Sequence, residues 1–510
     1  MSFHFKALIL VIVVTAIMFA LAKPVFTKFM SESDFALRRN VWFGLTLAGF
    51  LLPNFWLYIA AATLLIAFAG QRDSNPAALY VFLLLAVPPV RDSLSGFGLV
   101  RNLLPIDHLR VLSLVLLLPA ALKLRRTGAA GRTVGTRTRF IASDTLLVLF
   151  VGLQAVVLLP YISLTASLRH VVELCLDMLL PYFVVSRLCN SRGTIVEVMA
   201  AFVLSAILLV PLAASEFLSR GLLYAGWEER WGTEPMFSYL TRGDYLRAQV
   251  TAGHSIVLGY AIAVALGFWL YLQTRLPGRA WARLGSIALL AGLVLTLARG
   301  PWLGALLIVL AFFALGPNGA SRLLKLGTLL AVGGAVLMTT PYGERIVAYL
   351  PFVGQINVDT IDYRQRLAEL SWSLVLQHPV IGSPYVINYM EELRQGQGII
   401  DVVNTYAVVA LSFGLVGFSL FVGFFAVLAL TSIKVVRRSL AVDPDFALMG
   451  ASLVACILGV LLIIATVANY LTIPYVYLAL AGLTAAYVRL SRSQVLSPEF
   501  ENVRGSTAHA

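Results

Sequence analysis

Five arginines, a histidine and a glutamate fall in polar segments that interrupt long apolar runs. Arg242, Arg247 and His254 lie in "EERWGTEPMFSYLTRGDYLRAQVTAGH". Arg299 stands alone in "TLARGPWLG". Arg364, Arg366 and Glu369 lie in "DTIDYRQRLAELSWSLVLQHPVIG". A guanidinium is always charged and presents a planar fork that matches phosphate oxygens. A histidine or glutamate nearby supplies proton transfer. No P-loop, HExxH or GxSxG occurs, and the three cysteines fall in or beside apolar runs rather than in a CxxC pattern.

Each of these residues also has a plain structural reading. Arg299 suits a boundary anchor whose head reaches the polar zone. His254 sits where a helix begins and suits a cap. Arg169, Glu173 and Asp177 follow at i, i+4 and i+8, so they share one helical face and can pair among themselves. Asp177 falls near the middle of an apolar run and must face the bundle interior. Asn404 and Tyr406 precede another apolar run, either as an interfacial cap or as the lining of a site. The loop aromatics Trp227, Trp231, Phe237, Tyr239 and Tyr245 suit an interface belt or stacking on sugar faces.

The elements that must position these residues are membrane helices. The chain has 510 residues, 59% of them hydrophobic and 12% charged, against about 25% charged in a soluble domain. Apolar runs of about 14–24 residues recur from residue 7 to residue 488, which gives about 14 spans and an all-α polytopic fold. The net charge of +13 is concentrated in short loops, so it reads as topology and not as nucleic-acid binding. Segment 123–139 has six bases and no acid, 273–283 has three and none, and "KVVRR" at 434–438 is similar. These loops are expected on the cytoplasmic side. Two long loops, 217–253 and 341–402, then fall on the opposite face without a positive excess. The division expected is an N-terminal set of spans with a basic loop (1–140), a membrane domain carrying both external loops (141–490) and a polar cytoplasmic tail (491–510).

An arginine-walled cavity beside apolar helices fits a lipid-linked pyrophosphate. Four segments then carry a family likeness. "RAQVTAGHSIVLGYAIAVALGF", "LARGPWLGALLIVLAF", "LVLQHPVIGSP" and "NTYAVVALSFGLVG" resemble, in order and spacing, the motifs of the O-antigen ligase and polymerase superfamily over roughly 145–490. The resemblance implies transfer of a glycan from a polyprenyl pyrophosphate carrier to an acceptor hydroxyl, on the periplasmic face of a bacterial inner membrane. It implies no cofactor and no metal. By position it makes Arg247 and Arg299 the arginines on the departing phosphates. Arg242, Arg364, Arg366, Arg169, Asn404 and Tyr406 are the expected substrate contacts.

One position departs from the family pattern. The ligase histidine that opens the last motif is replaced by Val403, and the acidic residue before the glycine by Ser412. Valine cannot accept a proton, so His254, His378, Glu369 and Asp401 become the candidates, with Glu369 and His254 foremost. The expectation is a Wzy-type polymerase of lipid-linked repeat units. The alternatives are a ligase with a different base and a transporter of lipid-linked glycans. Expected partners are polyprenyl-pyrophosphate-linked glycans, membrane lipids, and a chain-length regulator and flippase of the same pathway.

Overall fold

The computed structural model describes residues 3–95, 102–129, 140–341, 349, 358–394, 400 and 402–495. The fold is helical, with two short two-stranded hairpins: β1 (Arg91–Ser95) with β2 (Asn102–Asp107), and β3 (Thr241–Arg242) with β4 (Tyr245–Leu246). Among the described residues, eight helices are long and apolar enough to cross a membrane, and Ala142–Leu158 and Arg299–Leu315 are shorter apolar helices. The chain is therefore a multi-pass membrane protein. The remaining apolar runs are shorter, charged or interrupted, which is where the expected number of about 14 is not matched helix for helix.

Two helices form the centre. Arg192–Ser219 and Ser255–Leu272 are apolar around their whole circumference and almost wholly buried, as expected of helices surrounded by other helices. Pro444–Ile464 and Ile473–Val495 pack beside them. The run 41–70 resolves into a hairpin, Glu32–Leu51 followed by Phe55–Arg72. Asn54 caps the second helix by accepting from Trp56 N at 2.7 Å. The run 77–90 is not a full span: its helix is Pro76–Leu83 only, and Pro88-Pro89 bar its continuation before the β1–β2 hairpin. Helix Leu164–Leu174 continues through a π-turn (Cys175–Leu179) into Leu180–Leu188, and a second π-turn (Ser113–Leu117) interrupts 108–129.

At the end of the bundle that carries the basic loops, buried charges are paired. Arg38 is fully buried and donates to Asp73 (2.8 Å) and Glu197 (2.6 Å). Its guanidinium fills the centre of this carboxylate set. Asp144 accepts from Arg187 (3.0 Å) and Arg489 (2.7 Å), tying three helices together.

At the other end, loop 217–253 is clamped to the bundle. Glu216 is fully buried and accepts from Leu223 N, Gln249 N and Val250 N at 2.8–2.9 Å. Trp227 is fully buried rather than at a membrane interface, and its ring meets Phe50 and Tyr58 edge-on. Gly49 makes room for it, since a Cβ there would lie 1.9 Å from the indole. Tyr245 is exposed but stacks on Phe217 at 5.2 Å.

The helix Thr405–Ser439 is broken near its start. Gly414 has φ 64° and ψ −167°, a conformation open essentially to glycine alone. The backbone groups freed by the break are satisfied by the segment that follows helix Val358–Gln377. Ser383 N donates to Leu411 O (2.9 Å), Leu415 N to Pro379 O (2.8 Å) and Val416 N to Val380 O (3.2 Å). Gly382, at φ 66°, is the facing half of this stitch. A Cβ there would lie 2.4 Å from Gly414 N, and one at Gly414 would lie 2.3 Å from Val380 O. The motifs "HPVIGS" and "SFGLVG" are thus two sides of one backbone joint.

Candidate functional site

The arginines are brought together by the turn between Arg279–Leu295 and Arg299–Leu315. Arg247 N donates to Leu240 O (2.9 Å) and Ala248 N to Leu295 O (3.2 Å), which seats the end of loop 217–253 on that turn. The carbonyls of the turn then receive the side chains. Leu297 O accepts from Arg242 Nη1 at 2.6 Å, and Thr296 O accepts from Arg247 Nε at 3.3 Å. Arg299 opens the next helix and its Nε donates to Tyr349 O at 3.1 Å. Arg242 lies within electrostatic range of both Arg299 and Arg364. Arg299 thus sits at the tip of a tight helical hairpin.

Arg242 and Arg247 lie in a positive field. Burial, and then the charges of Arg299 and Arg364, push Arg242 down to about 10. Burial, and then Arg242, push Arg247 down to about 10. Both remain cationic at neutral pH, and among the described residues no carboxylate contributes at either. Arg242 Nε is buried without a hydrogen-bond partner among the described residues. Backbone strain collects at the same place. Val250 (φ 49°), Leu297 (φ 46°) and Leu471 (φ 52°) hold left-handed conformations, which are outliers for bulky residues.

His254 is the cap of Ser255–Leu272. Its Nδ1 accepts from Ile256 N at 3.1 Å, and its ring stands edge-on to Tyr470 at 5.6 Å. Burial, reinforced by the Arg247 charge, pushes it down to about 3, so it is neutral. The capping role considered from sequence is the one its geometry satisfies.

Tyr470 is also a wall of the larger of two adjoining chambers. The first, about 480 Å³, is polar: Arg91, Arg110, Glu173, Asp177 and Glu234 line it, with Tyr470 and Tyr475. The second, about 390 Å³, is apolar, with Phe150, Val402, Val409, Phe413 and Phe421 in its wall. Gln154, Met178 and Asn469 border both. Within the polar chamber Arg110 Nη2 donates to Asp177 at 2.7 Å and lies 3.5 Å from Glu173. Tyr475 O–H donates to Asp177 at 2.6 Å. Asp177 does face the interior and is paired, as its mid-span position required. Its partner Arg110 comes from another helix and was missed in the sequence, although a lone arginine inside an apolar run itself asks for an acid. Arg169, on the same helix as Glu173, is half-buried.

Of the remaining expected residues, Arg364 reaches the cluster only through its charge on Arg242. Arg364, Arg366 and Glu369 lie on the exposed face of helix Val358–Gln377, and Gln365 Nε2 donates to Glu369 at 3.0 Å. The opposite face, with Leu367, Leu374 and Val375, packs on Val402 and Leu411. Glu369 lines neither chamber. Asn404 is a helix cap, accepting from Tyr406 N (2.9 Å) and Ala407 N (3.2 Å). Tyr406 O–H donates to Leu461 O at 2.9 Å. Neither lines a chamber; their neighbours Val402, Val408 and Ser412 do. Val403 packs in the small core under helix Val358–Gln377. His378 is exposed, and Asp401 lies outside the described residues.

No curated protein matches the chain. Residues 284–422, which hold Arg299, helix Val358–Gln377 and the stitched start of Thr405–Ser439, match the O-antigen ligase family model. That match supports membership of the O-antigen ligase/polymerase superfamily, whose members are glycosyltransferase-like enzymes of glycan assembly.

Proposed function

We propose that the protein polymerises polyprenyl-pyrophosphate-linked oligosaccharide repeats into an exopolysaccharide or O-antigen, at the periplasmic face of a bacterial inner membrane. The observation that carries this reading is the arginine cluster. Arg242 and Arg247 gather with Arg299 and Arg364, and no carboxylate neutralises the first two among the described residues. An anion would balance these two guanidiniums, and a pyrophosphate with its paired oxygens fits their forks.

The chemistry needs little else. The anomeric carbon already carries a good leaving group, so cations on the departing pyrophosphate and positioning of the acceptor supply most of the acceleration. Arg247 and Arg299 take the phosphates, with Arg242 beside them. His254 caps its helix and stays neutral, which suits a positioning role. The apolar chamber supplies a dry wall of the kind a hydrocarbon chain requires.

Val403 favours polymerisation over ligation, because the ligase base has no counterpart there. A ligase with another base is the second reading, supported by the family match itself. Deleting the gene in a producing strain distinguishes them. Single repeat units left on the carrier support polymerisation. Long polymer that no longer reaches lipid A supports ligation. Repeats trapped on the cytoplasmic leaflet would refute both and favour a flippase.

A further inference from the structure

The polar chamber has the wrong charge for a pyrophosphate. Arg91 and Arg110 face four carboxylates: Asp107, Glu173, Asp177 and Glu234. Both arginines are already engaged, Arg91 with Asp107 (3.0 Å) and Arg110 with Asp177 (2.7 Å). A second anion placed here would meet net negative charge. A neutral ligand rich in hydroxyls finds both donors and acceptors in its wall.

Two side chains in this chamber are held ready for such a ligand. Gln154 is 8% exposed, and its amide nitrogen reaches only Met178 Sδ at 3.5 Å. Its carbonyl oxygen has no donor among the described residues, and the residue borders both chambers. Glu173 differs from the other buried acids. Asp177 accepts from Arg110 and Tyr475, and Asp107 from Arg91 and the Arg110 backbone. Among the described residues no hydrogen bond to Glu173 is made: Arg110 approaches to 3.5 Å and His170 lies within electrostatic range. The backbone around the pair is shaped unusually as well. Asp177 sits in one π-turn, Arg110 just precedes the other, and the two π-turns pack together. Such insertions recur at functional sites.

We propose that the polar chamber is the acceptor subsite of the transfer, taking the hydroxyl-bearing end of a neutral glycan. Glu173 is the proton acceptor that Val403 cannot be, and Gln154 accepts a hydrogen bond from a neighbouring hydroxyl. The acceptor oxygen forms the new bond to the donor's anomeric carbon as the bond from that carbon to the pyrophosphate oxygen breaks. The electron pair leaves with the pyrophosphate, and the hydroxyl proton passes to Glu173 and from there to water at the chamber mouth. Tyr470 connects the two sites: it lines the chamber, and Arg247 and His254 lie behind it. This assignment rests on the pyrophosphate reading of the arginine cluster.

The test separates the two. The full-length protein in nanodiscs is titrated with undecaprenyl pyrophosphate and followed by thermal shift, while the same variants complement a deletion in the producing strain. Glu173→Gln should lower polymer about 100-fold or more, keep the thermal shift within twofold, and leave single repeats on the carrier. Glu173→Asp should recover part of the polymer, and Gln154→Leu should shorten or deplete it with the shift retained. Wild-type polymer from Glu173→Gln overturns the assignment. So does a Glu173→Gln protein that has lost the undecaprenyl pyrophosphate shift, because Glu173 would then be framework. A wild-type protein that shows no such shift would overturn the donor reading, and this one with it.

Discussion

Replacing Arg247 isolates what a guanidinium fork does at the cluster. Its Nε is committed to Thr296 O at 3.3 Å, and its two Nη groups make no hydrogen bond among the described residues. If both meet the departing phosphates, Arg247→Ala removes two charge-assisted hydrogen bonds of about 1.5–3 kcal/mol each, so about 3–6 kcal/mol. At 1.36 kcal/mol per decade that is a fall in turnover of about 10²–10⁴-fold. Arg247→Lys keeps the charge but loses the fork, and should fall by about 10–100-fold. The structural share is small: one hydrogen bond to Thr296 O, about 1 kcal/mol, or a thermal shift of about 2–4 °C. The assay is release of polyprenyl pyrophosphate by protein in nanodiscs, measured beside the melting temperature. A lysine variant as fast as wild type would refute the fork argument. An alanine variant with more than about a tenth of wild-type turnover would remove Arg247 from the phosphates altogether.

Three further outcomes follow from the same geometry. Glu216→Ala strands three backbone N–H groups, which should cost about 3 kcal/mol or more and make loop 217–253 protease-sensitive before the helices melt; limited proteolysis reads this directly. Gly414→Ala and Gly382→Ala each force a Cβ into backbone at 2.3–2.4 Å, so each should lower protein yield and melting temperature, and the double variant should lose less than the sum because both break one joint. His254 is neutral in the fold, with its folded value of about 3 below the ordinary 6.5. The stability this group contributes is complete above pH 6.5 and is lost as pH falls towards 3, by about 1.4 kcal/mol per unit. His254→Asn, which keeps the cap, should flatten melting temperature against pH in that window, and an unchanged profile would contradict the buried, neutral histidine.

Much of this arrangement was legible in the chain because it is local. Charge-poor runs announce membrane helices, the external helix shows its buried stripe through Leu367, Leu374 and Val375, and Arg299 stands out in a short linker. The illegible parts depend on pairing across distance. Arg110 meets Asp177 over 67 residues, and no periodicity connects them. Asn404 and Tyr406 drew attention as polar residues at a helix start, yet their oxygens are spent on a cap and on Leu461 O. The end of the helix at Leu83 was marked by Pro88-Pro89, but apolar character continues past it, so hydropathy alone overran the boundary. The strain at Val250, Leu297 and Leu471 leaves no signature in residue type, since none is glycine.

The joint between Gly382 and Gly414 bears on how such proteins can be recombined. A donor loop moved in from a relative would have to bring a segment that offers Pro379 O, Val380 O and Ser383 N in register, or leave a membrane helix with open backbone groups in hydrocarbon. The external loop and the helix Thr405–Ser439 are therefore inherited as one block. Chimaeras with a crossover before residue 358 or after residue 417 should assemble, while those cut between the two glycines should be cleared from the membrane, whatever glycan they were meant to handle.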